Sequence, residues 1–274
     1  MLADLHTHTC ASDGELRPEA LLQRAAEQGV EMLAITDHDT MDGYLEAAKA
    51  VNGLSLVAGI EFSCVWSKML IHVVGLKVDH GESELAAGLA GQKVARDQRG
   101  KLIGEKLAKL GFSGAYEGAS KLAQGGQIGR PDFARFLMQE GHVNSFNQAF
   151  KKYLGAGKPG DVKTLWPDMA EVVRWITSSG GVAVIAHPQR YKMTATKLRT
   201  LIKDFKAAGG QAIEVISGRP DQQAILTMVK LCEQFELLAS IGSDFHRPGT
   251  PWSELGCCGE LPASVKPVWS HWES

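Results

Sequence analysis

Seven short apolar runs, separated by stretches of helical periodicity, constrain this chain more than any other feature. They are Leu2–Leu5, Met32–Ile35, Leu56–Ile60, Leu70–Gly75, Val182–Ile185, Ala212–Ile216 and Leu238–Ile241. Several are continuously apolar rather than alternating, as expected of parallel strands covered on both faces. Helical candidates lie between them at Pro18–Gln28, Met41–Lys49, Glu84–Leu110, Met169–Ser178, Thr196–Lys206 and Gln222–Glu233. Pro18 suits a first helical turn, and Gly29 and Gly209 suit helix ends. Strands joined by crossover helices predict an α/β fold, a seven-stranded β/α barrel.

Residues 101–165 interrupt that rhythm. They read as helical pieces broken by glycine, LIGEKLAKLGF, GRPDFARFLMQEG and FNQAFKKYLGAG, with no strand among them. The expected organisation is a barrel built from 1–100 and 166–274, with 101–165 as a helical cap over its mouth. The tail beyond Trp252, rich in Cys, Gly, Pro and Trp, gives no readable pattern.

Composition narrows the function classes. A formal net charge of -2 speaks against a strongly basic nucleic-acid coat, while leaving room for a local basic pocket. No apolar run approaches the ~20 residues of a membrane span. The opening MLADLHTHTC is polar too early for a signal peptide. Five cysteines, without zinc-finger spacing, fit a reducing, cytoplasmic setting. No feature calls for an obligate protein partner.

Chemistry concentrates at the strand ends. His6 and His8 follow the first run in DLHTHTCASDG, and His38 follows the second in ITDHD. His72 lies within the fourth, His187 follows the fifth in VIAHP, and His246 follows the seventh in GSDFH. Asp4, Asp13, Asp37, Asp39, Glu61, Glu214 and Asp244 stand beside them. Strand C-termini of a barrel converge on one mouth, so residues distant in sequence meet there. Residues two apart in an extended segment point the same way, so His6 and His8 can reach one ion. Asp244 and His246 repeat that spacing. Imidazole with carboxylate suits zinc, manganese or iron, and the lack of cysteine ligands argues against a structural zinc knot. A single buried histidine is more often a hydrogen-bonded core residue; six at strand ends reverse that expectation in favour of more than one ion.

DLHTHTCASDG, ITDHD, the Glu61 segment GIEFS, the His72 strand, AHP and SDFH together resemble the motifs of the PHP family, named for polymerase and histidinol phosphatase. The likeness runs from Met1 to about His246, apart from the insertion. It implies a distorted seven-stranded barrel with a metal cluster at its mouth. It is nearest to stand-alone phosphoesterases acting on 3',5'-bisphosphorylated nucleosides, some of them similar to 5'-to-3' exonucleases that consume short RNA. The resemblance further implies that His6, His8, Glu61 and Asp244 hold a first divalent ion. Glu61 would bridge to a second ion held with His72 and His187, and Asp13, His38 and His246 would hold a third. Manganese is the expected ion, with zinc or iron as the other candidates. Glu61, Asp244 and His187 are the residues expected to carry catalysis.

The substrate pocket then needs cations, and arginine can grip phosphate through two parallel hydrogen bonds. Arg190 in HPQRY lies three residues beyond His187. Arg130 in IGRPDF and Lys158 in GAGKPG sit in the insertion and reach the mouth only if it folds over as a cap. Arg96, Arg99, Lys101, Lys106 and Lys109 recur at helical spacing and read as a solvated face. Asp37 and Asp39 read either as acceptors orienting an imidazole or as the start of the next helix. His80, His142 and His271 match no motif and read as surface residues, and Cys10 falls outside the ligand pattern.

The leading expectation is a phosphomonoesterase that removes the 3'-phosphate of nucleoside 3',5'-bisphosphates. A 5'-to-3' exoribonuclease on short 5'-phosphorylated RNA uses the same cluster on a diester. Histidinol phosphatase is a third possibility within the fold, and a non-catalytic metal-binding module is the alternative from another class. The intact ligand set argues against the last, and a metal titration separates catalytic from structural roles.

Overall fold

The computed structural model describes residues 1–51, 53–123, 125–162, 166–219 and 221–272. One seven-stranded sheet runs in sequence order through β1 (Ala3–Thr7), β2 (Met32–Ile35), β3 (Ser55–Trp66), β4 (Met69–Leu76), β5 (Val182–Ile185), β6 (Ala212–Ser217) and β7 (Leu238–Gly242). All neighbours are parallel except where β4 meets β3 and β5, both antiparallel. The sheet nearly closes. Thr7 bridges Phe245, the Asp244 amide donates to the His6 carbonyl at 2.8 Å, and the His8 amide donates to the Phe245 carbonyl at 2.9 Å. Gly242 permits that approach, because a Cβ there would stand 2.7 Å from the His6 amide nitrogen.

β4 runs antiparallel to both its neighbours within the expected distorted seven-stranded barrel. β3 continues to Trp66 and turns through Ser67 and Lys68, both with positive φ (48° and 64°), into β4. Such a turn matches the right-handed twist of a two-residue hairpin, yet neither residue is the Gly or Asn that usually announces it. Reversal also explains how His72 reaches the mouth. It lies near the start of β4, opposite Ser63, so it sits at the same end as the C-termini of the parallel strands.

Helices α1 (Pro18–Glu27), α2 (Asp42–Ala47), α7 (Met169–Ser178), α8 (Ala195–Ala207) and α9 (Gln222–Phe235) clothe the sheet, as the periodicity predicts. Buried aliphatic residues of β3–β7 pack with Val172, Val173 and Ile176 of α7 and Leu201, Ile202 and Phe205 of α8. Burial of each such side chain is worth about 1.5–3 kcal/mol.

α3 (Ser83–Lys109) continues unbroken through residue 100. Its first half packs Leu85 and Leu89 on the barrel core. Its second half joins α4 (Ala115–Leu122), α5 (Arg130–Gln139), α6 (Phe146–Ala149) and a π-helical turn at Phe150–Leu154 around a separate apolar cluster of Ile103, Leu107, Phe133, Phe136, Leu137 and Leu154. The expected barrel–insertion boundary at 100 therefore cuts a continuous helix, and that at 165 lies outside the described residues. Gln127 ties the helical layer to the barrel loops, through its amide to the Ala11 carbonyl (3.0 Å) and its side chain to the Asp39 carbonyl (3.0 Å).

Candidate metal centre

Five imidazoles close a ring at the barrel mouth. Neighbouring ring centres along His187, His6, His8, His38, His72 and back to His187 lie 5.7, 5.1, 4.8, 4.9 and 5.2 Å apart, and His246 stacks on His8 at 4.2 Å. Glu61 reaches into this ring from β3. Its Oε1 is 2.9 Å from both His72 Nδ1 and His187 Nε2. Its Oε2 is 3.0 Å from His38 Nδ1, 3.2 Å from His6 Nε2 and 3.3 Å from His8 Nε2.

Two aspartates flank the ring. Asp13 Oδ1 is 3.2 Å from His246 Nε2 and 3.7 Å from His8 Nδ1, and its Oδ2 is 3.8 Å from His38 Nε2. Asp244 Oδ1 is 3.1 Å from His8 Nε2 and 3.5 Å from His6 Nε2, and its Oδ2 pairs with Arg190. His187 (φ 31°) and Asp244 (φ 54°) both occupy the left-handed region just past their strands, which turns the side chains back into the mouth at a cost of about 1–3 kcal/mol each.

Three groups of donors stand close enough to hold an ion: His8, Asp13, His38 and His246; His6, His8 and Glu61; and His38, Glu61 and His72. The donor set itself calls for cations. His6 Nε2, His8 Nδ1, His38 Nδ1, Glu61 Oε2 and Asp13 Oδ1 are buried without a hydrogen-bond partner. Each such atom costs about 1–3 kcal/mol unless something satisfies it, and divalent ions shared between carboxylate and imidazole do so.

Charge follows the same arrangement. Burial alone would raise Glu61, Asp13 and Asp244, yet the surrounding histidines hold all three carboxyls well below their usual range. Burial drives His38 well down, leaving a neutral imidazole with its lone pair free. Burial also opposes charge on His6 and His246, but carboxylates win at both. Glu214, Glu61 and Asp244 raise His6 well above its ordinary value, and Asp13 and Asp244 lift His246 to about 10. Without metal, the cluster therefore carries protons where ions would sit.

Glu214 has a role that sequence reasoning left unassigned. Its Oε1 lies 2.5 Å from His6 Nδ1 and its Oε2 accepts the His187 amide at 2.5 Å, so one buried carboxylate orients two ligand residues. A lone acid inside AIEVIS, a strand buried at every position, is the signal that marks it.

Asp37 and Asp39 do neither of the things expected. Asp37 accepts from the Thr9 amide (2.7 Å), Thr9 Oγ1 (2.6 Å) and Ser12 Oγ (2.6 Å), fixing the His-bearing loop. Asp39 accepts from the Ser63 amide, Gln92 and Arg96, each at 2.7 Å, fastening α3 to the mouth.

Arg96 and Arg99 are consequently not a solvated face. They are 8% and 7% exposed and lie over the Trp166 ring at 5.4 and 5.6 Å. Their i, i+3 spacing, in phase with Leu85, Gln92, Ile103 and Leu107, puts them on the inward stripe of α3. Arg99 Nε is buried without a partner. Burial, with the like charges of Arg130 and Arg96 close by, lowers its guanidinium to about 9.

Arg130 opens α5 and lies over Phe150 at 5.8 Å; burial lowers its guanidinium, with Asp161 opposing. Arg190 borders an open cavity of about 470 Å³ beside Asp13, Asp244 and His246. Lys158 is exposed in the turn beyond the π-helical segment and does not line that cavity. Arg135 and Arg247 do line it, and sequence reasoning missed both. His80 and His142 are exposed, as expected, with His142 resting on Phe112 at 4.6 Å; His271 is exposed as well. Among the described residues, no helix is long and apolar enough to cross a membrane.

Comparison with known proteins agrees with this geometry. The chain is 44% identical over 268 residues to a 5'-3' exoribonuclease of Haemophilus influenzae, covering 97% of each protein. It is 40% identical over 274 residues to a 3',5'-nucleoside bisphosphate phosphatase of Chromobacterium violaceum, covering 99% of this chain and 96% of the relative. A solved Chromobacterium violaceum amidohydrolase with bound sulfate superposes with a TM-score of 0.93 at 40% identity, covering all of this chain and 96% of the other. The protein is thus a metal-dependent phosphoesterase related to both activities. Residues 4–162 match the family described as PHP domain, and the chain belongs to that family.

Proposed function

We propose that this protein is a 5'-to-3' exoribonuclease acting on short 5'-phosphorylated RNA. The observation that carries the reading is Glu61, a buried carboxylate at the centre of five imidazoles with its Oε2 unpaired, beside a cleft fringed with arginines. The full-length likeness to an exoribonuclease supports RNA as the substrate. His6, His8, Glu61 and Asp244 would hold one ion, Glu61, His72 and His187 a second, and Asp13, His38 and His246 a third, with manganese suited to hard phosphate oxygens. Bound there, the ions lower the pKa of coordinated water and offset charge on the phosphoryl oxygens.

The residues around them divide the substrate. Arg130 and Arg99, whose Nε has no hydrogen-bond partner, take the terminal 5'-phosphate through their guanidinium forks. Arg190 pairs with Asp244 and faces the cleft, where it can turn to the reacting phosphoryl group. Lys158, on its exposed turn, is left to screen the more distant backbone. Water attacks phosphorus and the bond to the 3'-oxygen breaks. That oxygen takes a proton, giving a nucleoside 5'-monophosphate and an RNA shortened by one residue with a new 5'-phosphate. The helices α4 to α6, tied to the barrel loops by Gln127, act as the cap that limits entry.

A second substrate of the same site is favoured by the phosphatase relative. In a nucleoside 3',5'-bisphosphate the same bond breaks and inorganic phosphate leaves in place of the RNA. The test is an end-labelled RNA ladder with manganese. The reading expects single-nucleotide steps from 5'-phosphorylated RNA and much slower loss from 5'-hydroxyl RNA. Indifference to the 5'-end, or shortening from the 3'-end, would overturn it.

A further inference from the structure

Beyond the ion ring lies a feature the chemistry above does not use. Trp252 is 67% exposed, the most exposed of the large apolar residues among the described ones, and it lines the cavity whose floor is Asp13, Asp244 and His246. An exposed indole beside basic side chains offers a π-face on which a nucleobase can stack. Its backbone, by contrast, is fixed. The Arg219 amide donates to the Trp252 carbonyl at 2.8 Å. Two residues on, Glu254 is gripped at both oxygens by Arg24, at 2.9 and 2.7 Å.

Phe146, Arg247 and Arg135 line the same cavity. Arg247 lies 5.8 Å from the Phe146 ring centre, Phe146 lies 5.1 Å from Phe150, and Arg130 lies 5.8 Å from Phe150. An aromatic pair therefore separates two basic ends. Arg130 and the buried Arg99 form one; Arg247 and Arg135, which line the same cavity as Trp252, form the other, Arg135 also donating to Asp132 at 2.8 Å.

We infer that the Trp252 cavity is the subsite for the second nucleotide of the RNA, with Trp252 as a stacking platform for its base and Arg247 and Arg135 holding the following phosphate. This rests on the exoribonuclease reading. With the terminal phosphate at Arg130 and the scissile phosphate at the ion ring, this cavity, which borders Asp13, Asp244 and His246, is open to the following nucleotide. Its volume of about 470 Å³ falls in the range of small-ligand sites. A base has a π-face whatever its identity, so an aromatic ledge with arginines binds the strand without choosing sequence. A nucleoside bisphosphate has no second nucleotide and leaves the ledge empty. The subsite thus separates RNA from the mononucleotide as substrates of one cluster.

The test compares wild type, W252A and W252F, all loaded with manganese. Each is assayed on a 5'-phosphorylated tetraribonucleotide and on adenosine 3',5'-bisphosphate. Binding of a phosphorothioate-linked, 5'-phosphorylated tetramer is followed in parallel by anisotropy. Stacking of one base predicts that W252A lowers the ratio of tetramer to bisphosphate kcat/KM by about fivefold or more, weakens tetramer binding to match, and that W252F restores most of both. Equal losses on both substrates would overturn the inference, because Trp252 would then serve the first nucleoside or the fold. Unaltered tetramer binding and turnover in W252A would overturn it alone. A wild-type enzyme that hydrolyses the bisphosphate but neither binds nor shortens the tetramer would remove the exoribonuclease reading, and this subsite with it.

Discussion

Replacing Arg99 by methionine should make the protein more stable and less able to bind a terminal phosphate. Arg99 is 7% exposed, its Nε has no partner, and burial beside Arg130 and Arg96 depresses its guanidinium to about 9. A fall of between three and four pH units, at about 1.36 kcal/mol each, puts the cost of keeping that charge on the order of 5 kcal/mol. The variant also loses the contact with Trp166, 5.6 Å away, worth about 1–2 kcal/mol, and some packing. A net gain of about 2–3 kcal/mol remains, or roughly 4–12 °C in Tm for a domain of this size. Thermal unfolding with and without inorganic phosphate is the assay. Phosphate should raise the Tm of wild type well above its effect on R99M. A variant that melts at or below wild type, with the same gain from phosphate, would refute the argument that Arg99 is a buried charge with a free Nε awaiting an anion.

Other consequences are as concrete. Metal loading at pH 7.5 should release protons, since carboxylates hold His6 and His246 protonated in the metal-free protein; calorimetry in buffers of different ionisation enthalpy counts them. The stability that protonated His246 lends the metal-free protein is complete below the ordinary histidine range and is lost as pH rises through about 10, so metal affinity should strengthen over that window. Glu214→Gln keeps the fold but loosens His6 and His187, and metal titration should show about 10–100-fold weaker binding. Gly242→Ala forces a Cβ against the His6 backbone and should cost about 1–3 kcal/mol in denaturant unfolding.

Legibility of the sequence divides along physical lines. Strand positions came through because burial on both faces leaves continuous apolar runs, as in VAVI of β5. The cluster came through because ligand chemistry admits few residue types, and those types fell at strand ends. The reversal of β4 did not, since Ser67 and Lys68 adopt positive φ without a turn residue to announce it. Arg96 and Arg99 misled because charge suggests solvent, whereas their phase with Leu85 and Ile103 on α3 carried the truer signal. The tail holding Trp252 was opaque for another reason: its loop is shaped by distant partners, Arg24 and Arg219, that no local pattern reveals.

The most direct test of the central claim is anomalous scattering at the manganese edge from crystals of the active enzyme grown with the ion. Three peaks are expected around Glu61: one toward His6, His8 and Asp244, one toward His72 and His187, and one toward Asp13, His38 and His246. A single peak in fully active enzyme, or peaks away from the Glu61 ring, would contradict the account.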